Sequence, residues 1–373
     1  MYTVKTLNKI AKIGLERLDP AYFHQDDDAA DPAAILVRSA KMLDYVPNPA
    51  LLCVARAGAG YNNIPVDDYA AKGVVVFNTP GANANAVKEL AVCALILASR
   101  DVIGGIDWCR SIADKGDEVA ALVEKGKSNF VGPELLGKTL GLIGLGNVGG
   151  KVAQAAAALG MKVLGYDPYL SDALRAQLAG VAEIVSDLDA LYARSDYISL
   201  HLPFTKDTAG TICRETIGKM KDGVRIINIA RGELVADGDM AEALASGKVK
   251  RYITDFPNGA TVKMPGCVAI PHLGASTPES EDNCAVMAAD QVSRYLLQGE
   301  IVNSVNLPNI TMERAGKHRA VVIARADAEV KIAAAACAEK TRGAYKVLLA
   351  DGDAPFDEKA IAAIPGVIRV RAL

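Results

Sequence analysis

The sequence has few of the residues from which metal sites and disulfide frameworks are built. It contains four histidines and one tryptophan in 373 residues, and its seven cysteines are scattered without a CxxC pair. An odd number of dispersed cysteines is typical of thiols in a reducing compartment. We therefore expect neither a disulfide framework nor a bound metal.

An excess of one charge and a long hydrophobic run are also lacking. The net charge is −3, so there is no basic field to attract nucleic acid or an anionic membrane. The N-terminus lacks the apolar core of a signal peptide, and the apolar run near residues 90–98 is too short to span a bilayer. We expect a cytoplasmic protein that binds neither nucleic acid nor a membrane.

Glycine, in contrast, is well represented, and three glycines form a GxGxxG pattern between an apolar strand and a helix. Gly144 permits a sharp turn, Gly146 lets the backbone approach a pyrophosphate, and Gly149 lets the helix pack closely on the sheet. The helix that begins near Asn147 offers unpaired N–H groups to the phosphates. The pattern predicts a dinucleotide site.

The next apolar run ends in Asp167, at the position expected for a carboxylate that binds the adenosine ribose. Such an acid accepts hydrogen bonds from both ribose hydroxyls and repels a 2′-phosphate. The sequence therefore predicts NAD rather than NADP as the cofactor.

Apolar runs and helical periodicity alternate from residue 140 onward, which is typical of a doubly wound parallel sheet. Three short strands in the first hundred residues predict a smaller α/β domain, and long helices are expected at 84–99 and 276–297. Strands near 320–324, 344–349 and 367–370 and a helix at 357–364 predict a third unit. The other predicted strands are 34–37, 51–55, 74–77, 140–143, 161–166, 196–202, 224–229, 251–256 and 268–270.

Two loops that follow late strands carry candidate catalytic residues. Arg231 lies beside a glycine in VRIINIARG, and His272 lies in VAIPHLGAST. An arginine can bind a carboxylate through two parallel hydrogen bonds, and a histidine can accept the hydroxyl proton as hydride leaves. The pair suits oxidation of a 2-hydroxy acid.

These segments, together with VRSA, ARAGAGYNNIP, FNTPGANANAVKEL, YITDF and PHLGASTPESEDNCAVMA, make the chain resemble the D-isomer-specific 2-hydroxyacid dehydrogenases. The resemblance implies a Rossmann domain at 93–279 and a flavodoxin-like α/β substrate domain at 1–92 and 280–308. Residues 309–373 resemble a shortened ACT-like domain, which we expect to support dimerisation rather than regulation by serine. The spacing between 322 and 342 is too short for a complete first helix and second strand of that fold.

The resemblance also assigns site residues. Arg231 would hold the substrate carboxylate and His272 would be the acid/base. Phosphate or substrate contacts are expected from Arg38, Ser39, Gly58, Gly60 and Asn83 in the small domain. Cofactor contacts are expected from Gly144, Gly146, Asn147, Val148, Gly149, Asp167, Leu202, Pro203, Ile229, Ala230, Asp255, Gly274 and Ala275.

The chain departs from the family at one position. The glutamate that normally supports the histidine is replaced by Gly259 or Ala260. We expect slower turnover or a shifted pH optimum, because a nearby anion favours the charged form of a histidine.

The expected function is NAD-dependent oxidation of a phosphorylated 2-hydroxy acid, 3-phospho-D-glycerate, to 3-phosphohydroxypyruvate, at the entry to serine biosynthesis. Reduction of glyoxylate or hydroxypyruvate is an alternative. A catalytically weakened protein that senses NADH is another. We expect a homodimer or higher homo-oligomer, because residues 102–127 resemble the family's pairing arm.

Overall fold

The computed structural model describes residues 1–373, which form two compact units. Unit 1 contains residues 1–83 and 278–373, and unit 2 contains residues 84–277. The predicted domain boundaries at 92/93, 279/280 and 308/309 stay predictions. None of the helices combines the length and the apolar character needed to cross a membrane.

Unit 1 begins with a five-stranded parallel sheet in the order β2-β1-β3-β4-β5. This is the flavodoxin-like order, as expected from the sequence. The strand β3 is buried along its whole length, so it reads as a continuous apolar run. The elements are β1 Tyr2–Leu7, α1 Lys12–Leu15, β2 Phe23–Gln25, β3 Ala34–Val37, β4 Cys53–Arg56, α2 Val66–Ala71 and β5 Val75–Phe77.

Unit 2 is a seven-stranded parallel sheet in the order β12-β11-β10-β9-β6-β7-β8. The strand order reverses between β6 and β9, which is where a doubly wound sheet binds its ligand. Its elements are α3 Ala84–Ser99, α4 Val102–Ser111, α5 Val119–Gly126, β6 Thr139–Ile143, α6 Asn147–Ala158, β7 Lys162–Tyr166, α7 Asp172–Gln177, β8 Glu183–Ile184, α8 Leu188–Arg194, β9 Tyr197–Leu200, α9 Arg214–Gly218, β10 Val224–Asn228, α10 Asp237–Ser246, β11 Val249–Thr254 and β12 Cys267–Ala269.

The chain then returns to unit 1 through a long helix and a four-stranded antiparallel sheet in the order β14-β15-β13-β16. No helix separates β13 from β14, as expected from the short spacing. The second strand is nevertheless complete, so that part of the prediction was wrong. The elements are α11 Pro278–Gln298, β13 His318–Arg325, β14 Ala336–Arg342, β15 Tyr345–Gly352, α12 Glu358–Ala362 and β16 Val367–Ala372.

The reason for the missed strand lies in the composition of β14. Its sequence, ACAEKTR, is charged and mostly exposed, because it forms the edge of the sheet. Charged side chains on an edge strand discourage pairing with other chains, and they also hide the alternation that identifies strands. Gly343, with a φ of +57°, forms the turn into β15.

The C-terminal sheet shares the hydrophobic core of the first sheet. Val321 and Leu349 belong to the same buried cluster as Val4 and Tyr295. A buried ion pair joins two neighbouring strands of the C-terminal sheet: the Arg319 guanidinium donates at 2.6 and 2.8 Å to the Asp351 carboxylate. The same side chain donates to the carbonyl oxygens of Gln298 and Met312. The C-terminal sheet is thus an integral part of unit 1.

We expect Arg319→Met to destabilise unit 1 by about 3–5 kcal/mol, because it leaves the buried Asp351 carboxylate without its partner. Unfolding in urea, followed by circular dichroism, measures the effect. Combining Arg319→Met with Asp351→Leu should recover part of the loss, since no buried charge then remains unpaired.

The control is Arg194→Met, which removes an exposed arginine that binds Glu183 through two hydrogen bonds of 2.7 Å. Because both side chains are about half exposed, we expect no measurable change in the urea midpoint. Equal midpoints for the two single variants would show that Arg319 does not stabilise the fold through its burial.

Candidate active site

The glycine turn has the geometry that its sequence predicts. Gly144, with a φ of +93°, follows β6 in a conformation that favours glycine. A Cβ on Gly149 would lie 2.0 Å from the Gly144 carbonyl oxygen, so no side chain fits there. A Cβ on Gly146 would meet no protein atom within 4 Å. Protein packing therefore requires glycine at 144 and 149, whereas at 146 a close-lying ligand would account for it.

Asp167 follows the neighbouring strand β7 and is hydrogen-bonded to the same turn. Its Oδ2 accepts from the Leu145 amide at 2.9 Å, and its Oδ1 accepts from the Tyr169 amide at 2.9 Å. The carboxylate is partly exposed. It is therefore fixed beside the glycine turn with lone pairs left for a further donor.

On the other side of the turn, β9 is followed by the predicted adenine contacts. Leu202 is partly buried, and Pro203 is exposed. A Cβ on Gly144 would lie 3.2 Å from a methyl group of Leu202. Asn147 and Val148 begin α6 directly after the turn. The structure thus brings the predicted adenosine and pyrophosphate residues to one edge of the sheet.

The loop that carries Arg231 is shaped by Asn228, the last residue of β10. The fully buried Asn228 side chain donates to the Arg231 carbonyl oxygen at 2.8 Å and accepts from the Ala230 amide at 3.2 Å. Sequence reasoning missed this role. The available signal was an asparagine at the end of an apolar strand, where its amide can satisfy loop backbone groups.

Arg231 and His272 contact the same aromatic ring. The His272 ring centroid lies 4.5 Å from that of Phe256, and the Arg231 guanidinium carbon lies 5.8 Å from the Phe256 centroid. Phe256, which was not among the predicted residues, therefore lies next to both candidate catalytic groups. His272 is exposed and Arg231 partly exposed, so both can reach a ligand.

Asp255 is the fully buried acid of this group. Its Oδ2 accepts from the Gly274 amide at 3.0 Å, while its Oδ1 is buried without a hydrogen-bond partner. Burial raises the pKa of Asp255, and the attraction of His272 and Arg231 opposes that shift. A buried acceptor without a partner fits a ligand that brings N–H donors, such as the carboxamide of nicotinamide.

The remaining predicted cofactor residues lie in the same two loops. Ile229 is buried, whereas Ala230 and Ala275 are partly exposed. At the position of the expected glutamate, Gly259 is exposed and a Cβ there would meet no atom within 4 Å. The neighbouring Asn258 side chain donates to the Asp237 carboxylate at 2.8 Å.

The predicted substrate residues lie in unit 1, mostly after the parallel strands. Arg38 follows β3 and forms an ion pair with Glu281 at 2.6 Å. Ser39 donates its amide to Asn8 at 3.0 Å. Gly58 is buried, while Gly60 and Asn83 are partly exposed. The structure thus brings Arg38 against an acid that sequence reasoning did not pair with it.

His201 lies directly beneath the glycine turn. Its carbonyl oxygen would be 2.5 Å from a Cβ on Gly144, and its Nε2 is 3.0 Å from the Ser199 hydroxyl. Burial lowers the pKa of His201 to about 4. The imidazole is therefore neutral near pH 7 and adds no charge to the turn.

Comparison with known proteins gives consistent findings. Residues 104–274 match the family profile described as D-isomer specific 2-hydroxyacid dehydrogenase, NAD binding domain. D-3-phosphoglycerate dehydrogenase of Mycobacterium tuberculosis is 40% identical over 284 residues, covering 74% of this chain and 51% of that protein. Hydroxypyruvate reductase of Thermotoga maritima is 40% identical over 255 residues, covering 66% of this chain and 78% of that protein.

Among solved structures, NAD+-bound 3-phosphoglycerate dehydrogenase of Entamoeba histolytica is similar to this chain with a TM-score of 0.61 and 26% identity. The match covers 82% of this chain and 98% of that one. The chain spans about half the length of the mycobacterial relatives that it matches. No group of three or more histidine, cysteine, aspartate or glutamate side chains is arranged to hold a metal ion.

We expect the stability of the protein to fall as the pH decreases from about 6.5 to about 4, in part because of His201. In that range the unfolded chain binds a proton that the native imidazole does not, so protonation favours unfolding by up to roughly 3 kcal/mol. His201→Gln should reduce this loss, measured as the free energy of unfolding in urea at pH 7 and pH 4.5. His24→Gln, at an exposed site, is the matched control. An unchanged pH dependence in His201→Gln would contradict the assignment.

Proposed function

Because the chain belongs to the D-isomer specific 2-hydroxyacid dehydrogenase family and carries its NAD-binding domain, we propose that it oxidises 3-phospho-D-glycerate to 3-phosphohydroxypyruvate. The observation that carries the proposal is the contact of Arg231 and His272 with one Phe256 ring, after late strands of the parallel sheet. An arginine and a histidine placed together can bind a carboxylate and accept a proton from the adjacent hydroxyl group.

In this proposal Arg231 binds the substrate carboxylate and fixes the orientation of C2. His272 accepts the hydroxyl proton, and Phe256 limits the positions that its imidazole can adopt. Asn228 holds the backbone from which Arg231 projects. NAD+, when bound beside these residues, would supply the acceptor for the hydride that leaves C2. The negative charge of Asp255 stabilises His272 when it carries the proton.

We propose that the glycine turn and Asp167 hold the adenosine diphosphate part of NAD. The open space around Gly146 lets backbone amides approach the pyrophosphate, and the N-terminus of α6 adds a positive dipole end. Asp167 would accept from a ribose hydroxyl, and Leu202 and Pro203 would flank the adenine. The unpaired Oδ1 of Asp255 would accept from the carboxamide, next to Gly274 and Ala275.

Arg38, Ser39, Gly58, Gly60 and Asn83 are proposed to bind the phosphate end of the substrate. Support comes from the family relatives named for phosphoglycerate. One observation favours a second candidate, reduction of hydroxypyruvate: Arg38 is already paired with Glu281, which weakens its attraction for a phosphate. The missing acid at Gly259 supports a third, an NADH-sensing protein, which would bind NADH without turnover.

The function is tested by following NADH absorbance with 3-phospho-D-glycerate and with D-glycerate. We expect a higher kcat/KM for the phosphorylated substrate.

Arg231→Lys should lower kcat/KM roughly 100-fold, because a lysine cannot form two parallel hydrogen bonds to a carboxylate. Its NADH affinity, measured by fluorescence, should stay close to that of the parent.

Gly146→Ala tests cofactor binding, as Arg231→Lys tests substrate binding. The added Cβ meets no protein atom, so the fold should be retained. The NADH dissociation constant should rise roughly tenfold, because the methyl group occupies space needed by the pyrophosphate. A parent protein that binds NADH and oxidises or reduces no 2-hydroxy acid would refute the enzymatic proposal and support the sensor.

We also propose that the arm formed by α4 and α5 joins two copies of the chain in a homodimer or higher homo-oligomer. Val102, Ile103 and Ile106 on α4 are each about 40% exposed, and Trp108 and Phe130 line an apolar groove of about 450 Å³ nearby. Exposed apolar surface of this kind marks interaction sites.

Ile106→Asp should weaken the assembly, measured by sedimentation at micromolar concentration. A parent protein that sediments as a monomer would exclude the proposed assembly.

A further inference from the structure

The side chain of Arg38 is bound to an acid within its own unit. Its Nη2 donates to Oε1 of Glu281 at 2.6 Å, and the two side chains are 38% and 42% exposed. Glu281 lies in the first turn of α11, whose Cys284 and Ala285 are buried in the core. Arg38 is placed by its backbone, since its carbonyl oxygen accepts from Asn63 at 3.4 Å. Both partners therefore project from well-packed elements.

A second arginine lies at the same edge of the sheet as Arg38: Arg56 is the last residue of β4 and pairs in register with Val37, which precedes Arg38. The guanidinium of Arg56 lies over Gly58, where a Cβ would be only 1.3 Å from Nη1. Burial raises the pKa of the Cys284 thiol, one turn along α11 from Glu281, and the positive charges of Arg56 and Arg38 oppose that rise. Two cationic groups, one of them paired with a carboxylate, are thus placed at the carboxyl edge of the parallel sheet. An anion would be attracted by the arginines and repelled by the acid.

Arg38 is suited to exchange the Glu281 carboxylate for another anion. An exposed ion pair contributes little to stability, so breaking it is not costly for the fold. A phosphate group can replace the Glu281 carboxylate on Arg38, but it then lies near a displaced negative charge. A substrate end without charge neither needs the exchange nor meets the repulsion.

We propose that Glu281 is a specificity-determining residue, an internal carboxylate that competes with the substrate phosphate for Arg38. The inference rests on the proposed function in that it assigns the substrate's phosphate end to Arg38. By this competition Glu281 lowers the affinity for phosphorylated 2-hydroxy acids and leaves the affinity for their unphosphorylated counterparts unchanged. It acts on substrate binding and leaves the hydride transfer step unchanged.

The test compares Glu281→Gln with Glu279→Gln. Glu279 lies in the same first turn of α11 and is exposed, so its replacement removes an equal charge without freeing Arg38. In Glu281→Gln we expect KM for 3-phospho-D-glycerate to fall about five- to tenfold, with kcat and the KM for D-glycerate within about twofold of the parent. Glu279→Gln should change neither KM by more than about twofold. In an Arg38→Met background, Glu281→Gln should have no effect.

Two kinetic results would overturn the inference. A rise in KM for the phosphorylated substrate in Glu281→Gln would show that Glu281 orients Arg38 for binding. Equal changes of this KM in Glu281→Gln and Glu279→Gln would show only a general charge effect. Calorimetric titration of each variant with 3-phospho-D-glycerate reads binding without turnover. If the parent binds this ligand, with affinity raised by Glu281→Gln, but oxidises nothing, the proposed function fails and this inference stands. An unchanged affinity in Glu281→Gln contradicts the inference whether or not the parent is active.

Discussion

The close approach of α6 to the end of β6 is the constraint on which the cofactor side of the structure depends. The Gly144 carbonyl and the Gly149 backbone are so near that one methyl group would separate them. Only this spacing lets the helix begin directly after the strand, with its first amides facing the carboxyl edge of the sheet. Parallel strands on both sides then bring Asp167 and Leu202 to that edge. The site is therefore a consequence of strand direction as much as of individual side chains.

The parts of the fold that the sequence predicts well are those with strong local patterns. The helix Ala84–Ser99 and the strand Ala34–Val37 have the predicted ends, because each has a continuous apolar pattern and a clear boundary. The strands Tyr2–Leu7 and Phe23–Gln25 were not predicted, and neither was Ala336–Arg342. All three alternate polar and apolar residues weakly, and their stability depends on partners elsewhere in the chain. Local pattern cannot supply that information.

The site shows the same division. The sequence identifies Arg231 and His272 by residue type and neighbouring glycines, but their common contact with Phe256 is visible only in three dimensions. The pairing of Arg38 with Glu281 joins residues that are 243 positions apart, and no pattern within either segment predicts it. Long-range ion pairs depend on how strands and helices are assembled. The ion pair between Arg38 and Glu281 is such a case, and it changes the interpretation of Arg38 as a phosphate-binding residue.

The position of Asp255 changes what we expect from the lack of a glutamate at Gly259 or Ala260. Its Oδ2 is used by Gly274 in the histidine loop, so Oδ1 is the acceptor that remains. In the proposed mechanism the cofactor carboxamide would take Oδ1, which would leave His272 with long-range electrostatic support but no direct carboxylate contact. Orientation of the imidazole would then depend on packing against Phe256, whose ring centroid lies 4.5 Å from that of His272. In the proposed mechanism, catalysis would be sensitive to pH through the charge of Asp255, because burial raises the pKa of that carboxyl group and so disfavours its charged form.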